Sequence, residues 1–403
     1  MTSVVDTSVK YFTSQMPGAP ALSGTAGTLI ALLDACLKDG FDLKTLSSLT
    51  VAGGVATAVY TGTHSALVDT VVLIAGVTGG PSGWAGLNGE QKITGKPGAT
   101  TVNFATSLPD GTYTGTITMK MAPLGFAKPV AGTNLAGYKS QDPMSTGMYL
   151  RVDDTAAQTA RVFGCESMSD INTYAGQFPT AAQMSGGGYW GKSAVANTVP
   201  VQWALIGDTR GFFIHICPGF SSSAQFVQGL TRAFGDAVVL KPGGDAYACF
   251  INWSTTSTPQ SQIDGQPEYN QQSQHAFPRG PSGLGSAILS ICAPYTGISS
   301  NLSGSDSMFG VFPNSIDGSL RMSRRYFAAG TGVPPRAELP GLYSIPHTSC
   351  YDSFKFGDRV PGSGPLAGRN FFVVNSTTTT TNTTPSSGNS GATLFDITGP
   401  WPR

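Results

Sequence analysis

The stretch Trp203-Ala204-Leu205-Ile206-Gly207-Asp208-Thr209-Arg210-Gly211-Phe212-Phe213-Ile214-His215-Ile216-Cys217 decides what kind of protein this chain makes. Two apolar runs, Trp203–Ile206 and Phe212–Cys217, flank a Gly-Asp-Thr-Arg-Gly segment built of turn residues. The runs read as strands. They are almost wholly apolar, as strands covered on both faces are. Strand alternation sets His215 on the face opposite Ile214 and Ile216, a half-buried strand histidine. The same texture spreads in both directions: Met148–Val152, Ala160–Met168, Ala246–Trp253, Ala287–Cys292 and Phe371–Asn375 also read as strands.

Upstream, over 46–123, the strands are shorter and closer together. Val51, Val55, Thr57 and Val59 read as a hairpin around Gly53-Gly54, and Thr70–Ala75, Glu90–Thr94, Thr101–Phe104 and Gly115–Met121 follow as strand-length runs parted by Gly, Asn or Pro. Strands this dense predict a small β-barrel or sandwich. One stretch breaks the pattern. From Thr25 to Gly40 the residues Leu29, Ile30, Leu32, Leu33, Cys36 and Leu37 recur at helical spacing, with Thr25 or Thr28 to cap the start and Gly40 to end it. A helix with one strong apolar face suits packing on a sheet or on a neighbouring subunit; Leu29, Ile30, Leu33 and Leu37 are its candidate docking residues. The expected fold is therefore mainly β, in three parts. An N-terminal arm and docking helix (1–45) precede a small barrel module (46–123) and a larger β-sandwich-like domain (124–403). Long polar loops interrupt the last, notably Ser254–Gly285 and the Thr/Ser-rich 375–391; loops of that length serve as contact arms or are disordered.

Composition agrees with this reading and removes some functions. Among 403 residues there are 52 Gly and 27 Pro, as short strands and turns require. Lys+Arg number 23 against 23 Asp+Glu, and charged residues make up 11% of the chain, against about a quarter in an ordinary protein. A phosphate-tracking surface needs clustered cations, so no nucleic-acid partner is expected. No run approaches the ~18 apolar residues of a membrane span, and residues 1–20 lack the basic-then-apolar order of a secretory signal. Synthesis in a cytoplasm without membrane insertion is expected. The cysteines, Cys36, Cys165, Cys217, Cys249, Cys292 and Cys350, are scattered singly and read as small buried apolar side chains.

Candidate chemistry is sparse. The histidines are His64 in a turn, His215 in a strand, His275 in a polar loop and His347, whose His347-Thr-Ser-Cys350 lacks the second ligand pair of structural zinc. A sugar hydrolase needs two carboxylates at a fixed separation; Asp153, Asp154, Glu166, Asp208, Asp236 and Asp245 are available, and turn duty beside Gly or Thr accounts for nearly all of them. Ser185-Gly-Gly-Gly188 lacks the Lys-Ser/Thr of a phosphate loop. Catalytic residues, metal and cofactor are accordingly expected to be absent. Trp84, Tyr189, Trp190 and Trp253 are candidate contact aromatics for stacking on sugars, set against the commoner role of core or interface anchor.

The small β region also has an informative spelling. Thr63-His64-Ser65-Ala66-Leu67-Val68-Asp69-Thr70-Val71-Val72-Leu73-Ile74, then Leu87-Asn88-Gly89, Thr101-Val102-Asn103-Phe104 and Gly111-Thr112-Tyr113-Thr114-Gly115-Thr116, resembles a small β-barrel module common in structural proteins of tailed bacteriophages. In that family a His-Gly turn leads through a Gly-Asp-x-Val-x-Ile strand to Leu-Asn-Gly and a Thr-rich closing strand. This chain departs from the pattern at Val68, where glycine is usual, and by a Gly-rich insertion near Thr78–Ala85. From Pro17-Gly-Ala-Pro20 to Phe395-Asp-Ile-Thr-Gly-Pro-Trp401 the chain is similar to virion proteins of phages and prophages of Gram-negative bacteria.

The resemblance implies a structural virion protein, assembled in the host cytoplasm and placed in the tail tip or baseplate, with a part in host attachment. A capsid decoration protein or head fibre is the alternative, and a receptor-binding or polysaccharide-cleaving tail module a second one. The partners it implies are other phage structural proteins, further copies of the chain, and a host-surface glycan or protein.

Overall fold

The computed structural model describes residues 4–221, 228–262, 264–268, 273–293, 314, 316–330, 332–345, 354–377 and 390–403. The described residues are mainly β, with one α-helix. Strand β1 (Lys10–Thr13) is followed by α1 (Thr28–Leu33), which continues into a wider π turn over Asp34–Asp39. There the Gly40 N–H donates to the Ala35 carbonyl five residues back, at 2.9 Å. Gly40, at φ 72°, then ends the element.

A twelve-residue strand, β2 (Phe41–Ala52), opens the barrel and turns at Gly53-Gly54 into β3 (Val55–Tyr60). Both glycines have positive φ, 56° and 79°, the turn whose twist matches that of the flanking strands. β4 (Val71–Ala75), β5 (Gly89–Gly98), β6 (Thr101–Ala105), β7 (Gly111–Tyr113) and β8 (Thr118–Met121) complete the module. The order β3-β6-β5-β4-β8-β2 returns to β3 and closes a six-stranded barrel, with β7 paired to the far end of β2. Its interior is filled by small-against-large pairs: Ala56 stands opposite Phe104 in the register and both are 0% exposed.

Next comes an antiparallel sheet of β9 (Phe126–Gly132), β10 (Leu135–Ser140), β11 (Tyr149–Asp153), β12 (Thr159–Cys165) and, beyond a short hairpin of β13 (Ser167–Asp170) and β14 (Thr173–Ala175), β15 (Gly188–Gly191). The remaining strands are β16 (Val201–Asp208), β17 (Gly211–Ser221), β18 (Gln228–Asp236), β19 (Val238–Val239), β20 (Cys249–Asn252), β21 (His275–Phe277), β22 (Ile288–Ala293), β23 (Ser323–Ala328), β24 (Ala337–Ile345), β25 (Arg359–Pro361), β26 (Asn370–Thr377) and β27 (Ser390–Asp396). They join β1 in one large sheet, β1-β16-β17-β18-β20-β21-β22-β23-β24-β27-β26-β25, with β19 on β24. β26 also lies parallel to β18, so the path from β18 to β26 curls back on itself. The β16–β17 hairpin runs in register from Gln202↔Cys217 to Asp208↔Gly211. Its turn is held by Asp208 Oδ1, which accepts the N–H groups of Arg210 and Gly211 at 2.9 and 3.0 Å.

The structure departs from the expected arrangement in the helix, the N-terminal segment and two histidines. The apolar face of α1 is not left for a neighbouring subunit: Leu29, Leu33 and Leu37 are 0% exposed. They join the core under β9 and β10, where Tyr138 Oη donates to Asp34 Oδ1, and Ile30 is half-buried at the edge of that core. A helix this short cannot stand clear of the sheets that flank it in sequence, so its face is used within the chain. The boundary at 45/46 falls inside β2, and the arm is no arm, because β1 pairs along β16 from Lys10↔Gly207 to Thr13↔Ala204. Finally, His215 is fully buried and not half-buried, since both faces of β17 are covered, and His275 lies buried in β21 instead of in a loop. Most of loop 375–391, with His347 and Cys350, falls outside the described residues.

Candidate functional site

The candidate carboxylates are occupied in holding the fold. Asp153 and Asp154 are adjacent but unlike. Asp153 Oδ1 accepts the N–H of Thr155 at the surface, whereas Asp154 is 0% exposed and Oδ2 accepts the N–H groups of Leu29 and Ile30 at 2.8 and 3.1 Å. It thus caps the start of α1 from 125 residues away. Lys192, also 0% exposed, donates to Asp154 Oδ1 and to the carbonyls of Thr25 and Ala156 at 2.8 Å each. Burial pushes the Asp154 carboxyl above its usual range and the Lys192 ammonium below its own, each opposed by the other's charge. Every lone pair and proton that matters is bonded, so this is a structural node.

The other acids behave alike. Arg279 grips Glu166 with two parallel bonds, 2.6 and 2.8 Å; Arg336 holds Asp245 at 2.8 and 3.2 Å; Arg210 bonds Asp236, and Arg403 clamps Asp208. Each of these acids is paired with an arginine, and Arg210 and Arg403 each bond to both Asp208 and Asp236.

A second group joins the barrel to the large sheet. Lys92 of β5, buried, donates to the carbonyls of Ile397 and Thr398 at 2.7 and 2.8 Å. Burial lowers its pKa, opposed chiefly by Asp69. Lys10 of β1 reaches Glu90 at 3.0 Å, and Tyr11 Oη donates to the Val68 carbonyl at 3.0 Å. Arg359 donates to the same carbonyl at 2.6 Å and lies 3.5 Å from Asp69, to which Asn370 Nδ2 also donates. Asp69 has φ 69°. The Val68-Asp69 turn is therefore one point at which the barrel is gripped.

Of the candidate aromatics, two are core. Trp190 is 0% exposed, donates Nε1–H to the Asn252 carbonyl at 2.7 Å and meets Phe212 edge-on; Trp253 is 2% exposed and packs directly on Gly188, leaving no room for a Cβ there. Neither can stack on a sugar. Trp84 and Tyr189 are half-buried, and one face of the Tyr189 ring is covered by the Arg161 guanidinium, 3.9 Å from its centroid. Cys36, Cys165, Cys217, Cys249 and Cys292 are buried free thiols. Among the described residues no group of three or more His, Cys, Asp or Glu could hold a metal ion, and no helix is long and apolar enough to cross a membrane.

A concavity lies beside the Arg336–Asp245 pair. A groove of about 370 Å³ opens between β21, β22 and β23 and the Val333-Pro-Pro-Arg336 segment before β24. Phe277, Ile288, Leu289 and Ala328 line it, Pro281, Pro334 and Pro335 stiffen its walls, and Leu240 and Val333, 42% and 48% exposed, flank the opening with Lys241. Five separated segments build it, so nothing in the local sequence announces it.

No protein-family model matches this chain, and no curated protein matches it significantly.

Proposed function

We propose that this chain is a structural protein of a tailed-bacteriophage virion, placed in the tail tip or baseplate and taking part in host attachment. The observation that carries the reading is the use made of charge. In a chain with 11% charged residues, several acids are tied to cations that join segments distant in sequence, as Asp154–Lys192, Asp245–Arg336 and Asp208–Arg403 do. Such a molecule is built to keep its shape under load. The small closed barrel, gripped on the large sheet through Lys92, Tyr11 and Arg359, agrees with the module that its sequence resembles. Partners of this reading are other virion proteins and further copies of the chain. Exposed apolar residues such as Leu43, Met144 and Leu284, at 64%, 74% and 75%, are surface that assembly would cover.

Cryo-electron microscopy of the intact particle, with this chain fitted to the density, tests the proposal. Density at the distal end of the tail is the expected result. Density on the head makes the chain a decoration protein or head fibre, and absence from the particle refutes a virion role. The polysaccharide-cleaving reading has its own assay, release of reducing ends from host-envelope sugar, and requires loss of that activity in Glu166→Ala.

A further inference from the structure

We propose that the groove between β21, β22, β23 and the Val333–Arg336 segment is a binding site for a single-chain anionic amphiphile, an aliphatic tail ending in a carboxylate. The inference is independent of the virion reading. The floor supplies the tail site: Phe277, Ile288, Leu289 and Ala328 offer apolar surface, with Ser290 beside them, and burying a methylene there is worth roughly 0.8 kcal/mol. The walls supply preorganisation, because three prolines hold them without side-chain entropy to lose. At about 370 Å³ the space is at the small end of ligand pockets and takes one chain, not a bilayer surface.

The head-group preference comes from the two cations at the site, which are not equivalent. Arg336 is spent: Nε and Nη2 bond Asp245, Nη1 donates to the Arg279 carbonyl, and the guanidinium lies 4.3 Å from the Phe277 ring centroid. Lys241 donates to the Pro281 carbonyl at 3.0 Å and makes no ion pair among the described residues. An ammonium has three protons, so Lys241 can keep that bond and hold a carboxylate at the mouth while Leu240 and Val333 cover the first methylenes. A charge-assisted bond of this kind at a partly apolar rim is worth about tenfold in affinity.

Isothermal titration of the full chain with decanoate and with decyltrimethylammonium tests this. Decanoate is expected to bind one-to-one, and the cationic probe at least about tenfold more weakly. Lys241→Glu, an exposed change, should lose about tenfold for decanoate and reverse the preference, and Val333→Glu, also exposed, should weaken decanoate by a similar factor. Circular dichroism matching that of the unaltered chain establishes that both variants fold. Absence of decanoate binding at millimolar concentration, equal affinity for the two probes, or an unchanged preference in folded Lys241→Glu would each overturn the proposal.

Discussion

Asp153 and Asp154 make the sharpest test of the structural account, because they are the same residue type side by side and the structure assigns them opposite weight. Replacing Asp154 by Ala has two costs. The N–H groups of Leu29 and Ile30 lose their acceptor at the start of α1, and loss of a helix cap costs about 1 kcal/mol. Lys192 keeps the Thr25 and Ala156 carbonyls but is left as a 0%-exposed cation without its counter-charge. Removing one partner of a buried pair costs about 3–5 kcal/mol. Burial already disfavours both charged forms, and part of the loss is relieved if Lys192 gives up its proton. The expected total is therefore about 3–5 kcal/mol rather than the sum. Asp153→Ala, which removes two surface bonds from Thr155, one from its N–H and one from its hydroxyl, should stay within about 0.5 kcal/mol. Urea unfolding of the two variants and the parent, followed by tryptophan fluorescence, gives the comparison. The double variant Asp154→Leu with Lys192→Met should recover much of the loss, because it removes both charges. If Asp154→Ala unfolds at the same urea concentration as Asp153→Ala, the node is not a node and the reasoning fails.

Three further outcomes are expected. Gly341 has φ 68° and a Cβ there would stand 2.1 Å from the Trp401 ring, whereas Gly243, at φ 85°, has nothing near it; Gly341→Ala should cost at least about 2 kcal/mol more than Gly243→Ala, as thermal unfolding would show. Lys92→Met leaves the Ile397 and Thr398 carbonyls without their donor and should cost about 1–3 kcal/mol, read from the urea midpoint. Burial holds the His215 imidazole down to about 3, below its usual value of about 6.5. The unfolded chain takes up that proton as the pH falls below 6.5 and the fold refuses it, so stability is complete above that pH and declines toward pH 3. The slope is about 1.4 kcal/mol per pH unit, and His215→Phe should remove it between pH 6.5 and 5.

Much of the fold was legible in the sequence because it is local. Periodicity alone marks β16, β17 and the Gly53-Gly54 hairpin. Of the strands that periodicity does not mark, two carry prolines: β9 holds Pro129 at an edge, where the register with β10 shifts between Gly137 and Lys139, and β24 holds Pro340-Gly341. Others, such as β10, β18, β23 and β27, carry none and are too mixed in polarity to show a clear period. What periodicity cannot state is the partner. It marks Leu29, Leu33 and Leu37 as one apolar face but is silent on whether a sheet of the same chain or another molecule covers it. Trp190 and Trp253 were ambiguous for the same reason, and so was the difference between Asp153 and Asp154, which depends on a helix start 125 residues away. The groove is the extreme case, since its lining comes from segments up to a hundred residues apart, spanning Leu240 to Arg336.

The grip on the barrel has a mechanical meaning. Apolar patches let two bodies slide over one another at little cost, whereas hydrogen bonds weaken steeply when their angles change. Lys92 points at two successive carbonyls, Tyr11 and Arg359 converge on Val68, and Asn370 reaches Asp69, so the joint resists rotation about more than one axis. The barrel then works as a handle: a sideways push on its Gly53-Gly54 rim reaches the large sheet as torque, delivered to β1, β25 and β26, and not as slippage at the joint.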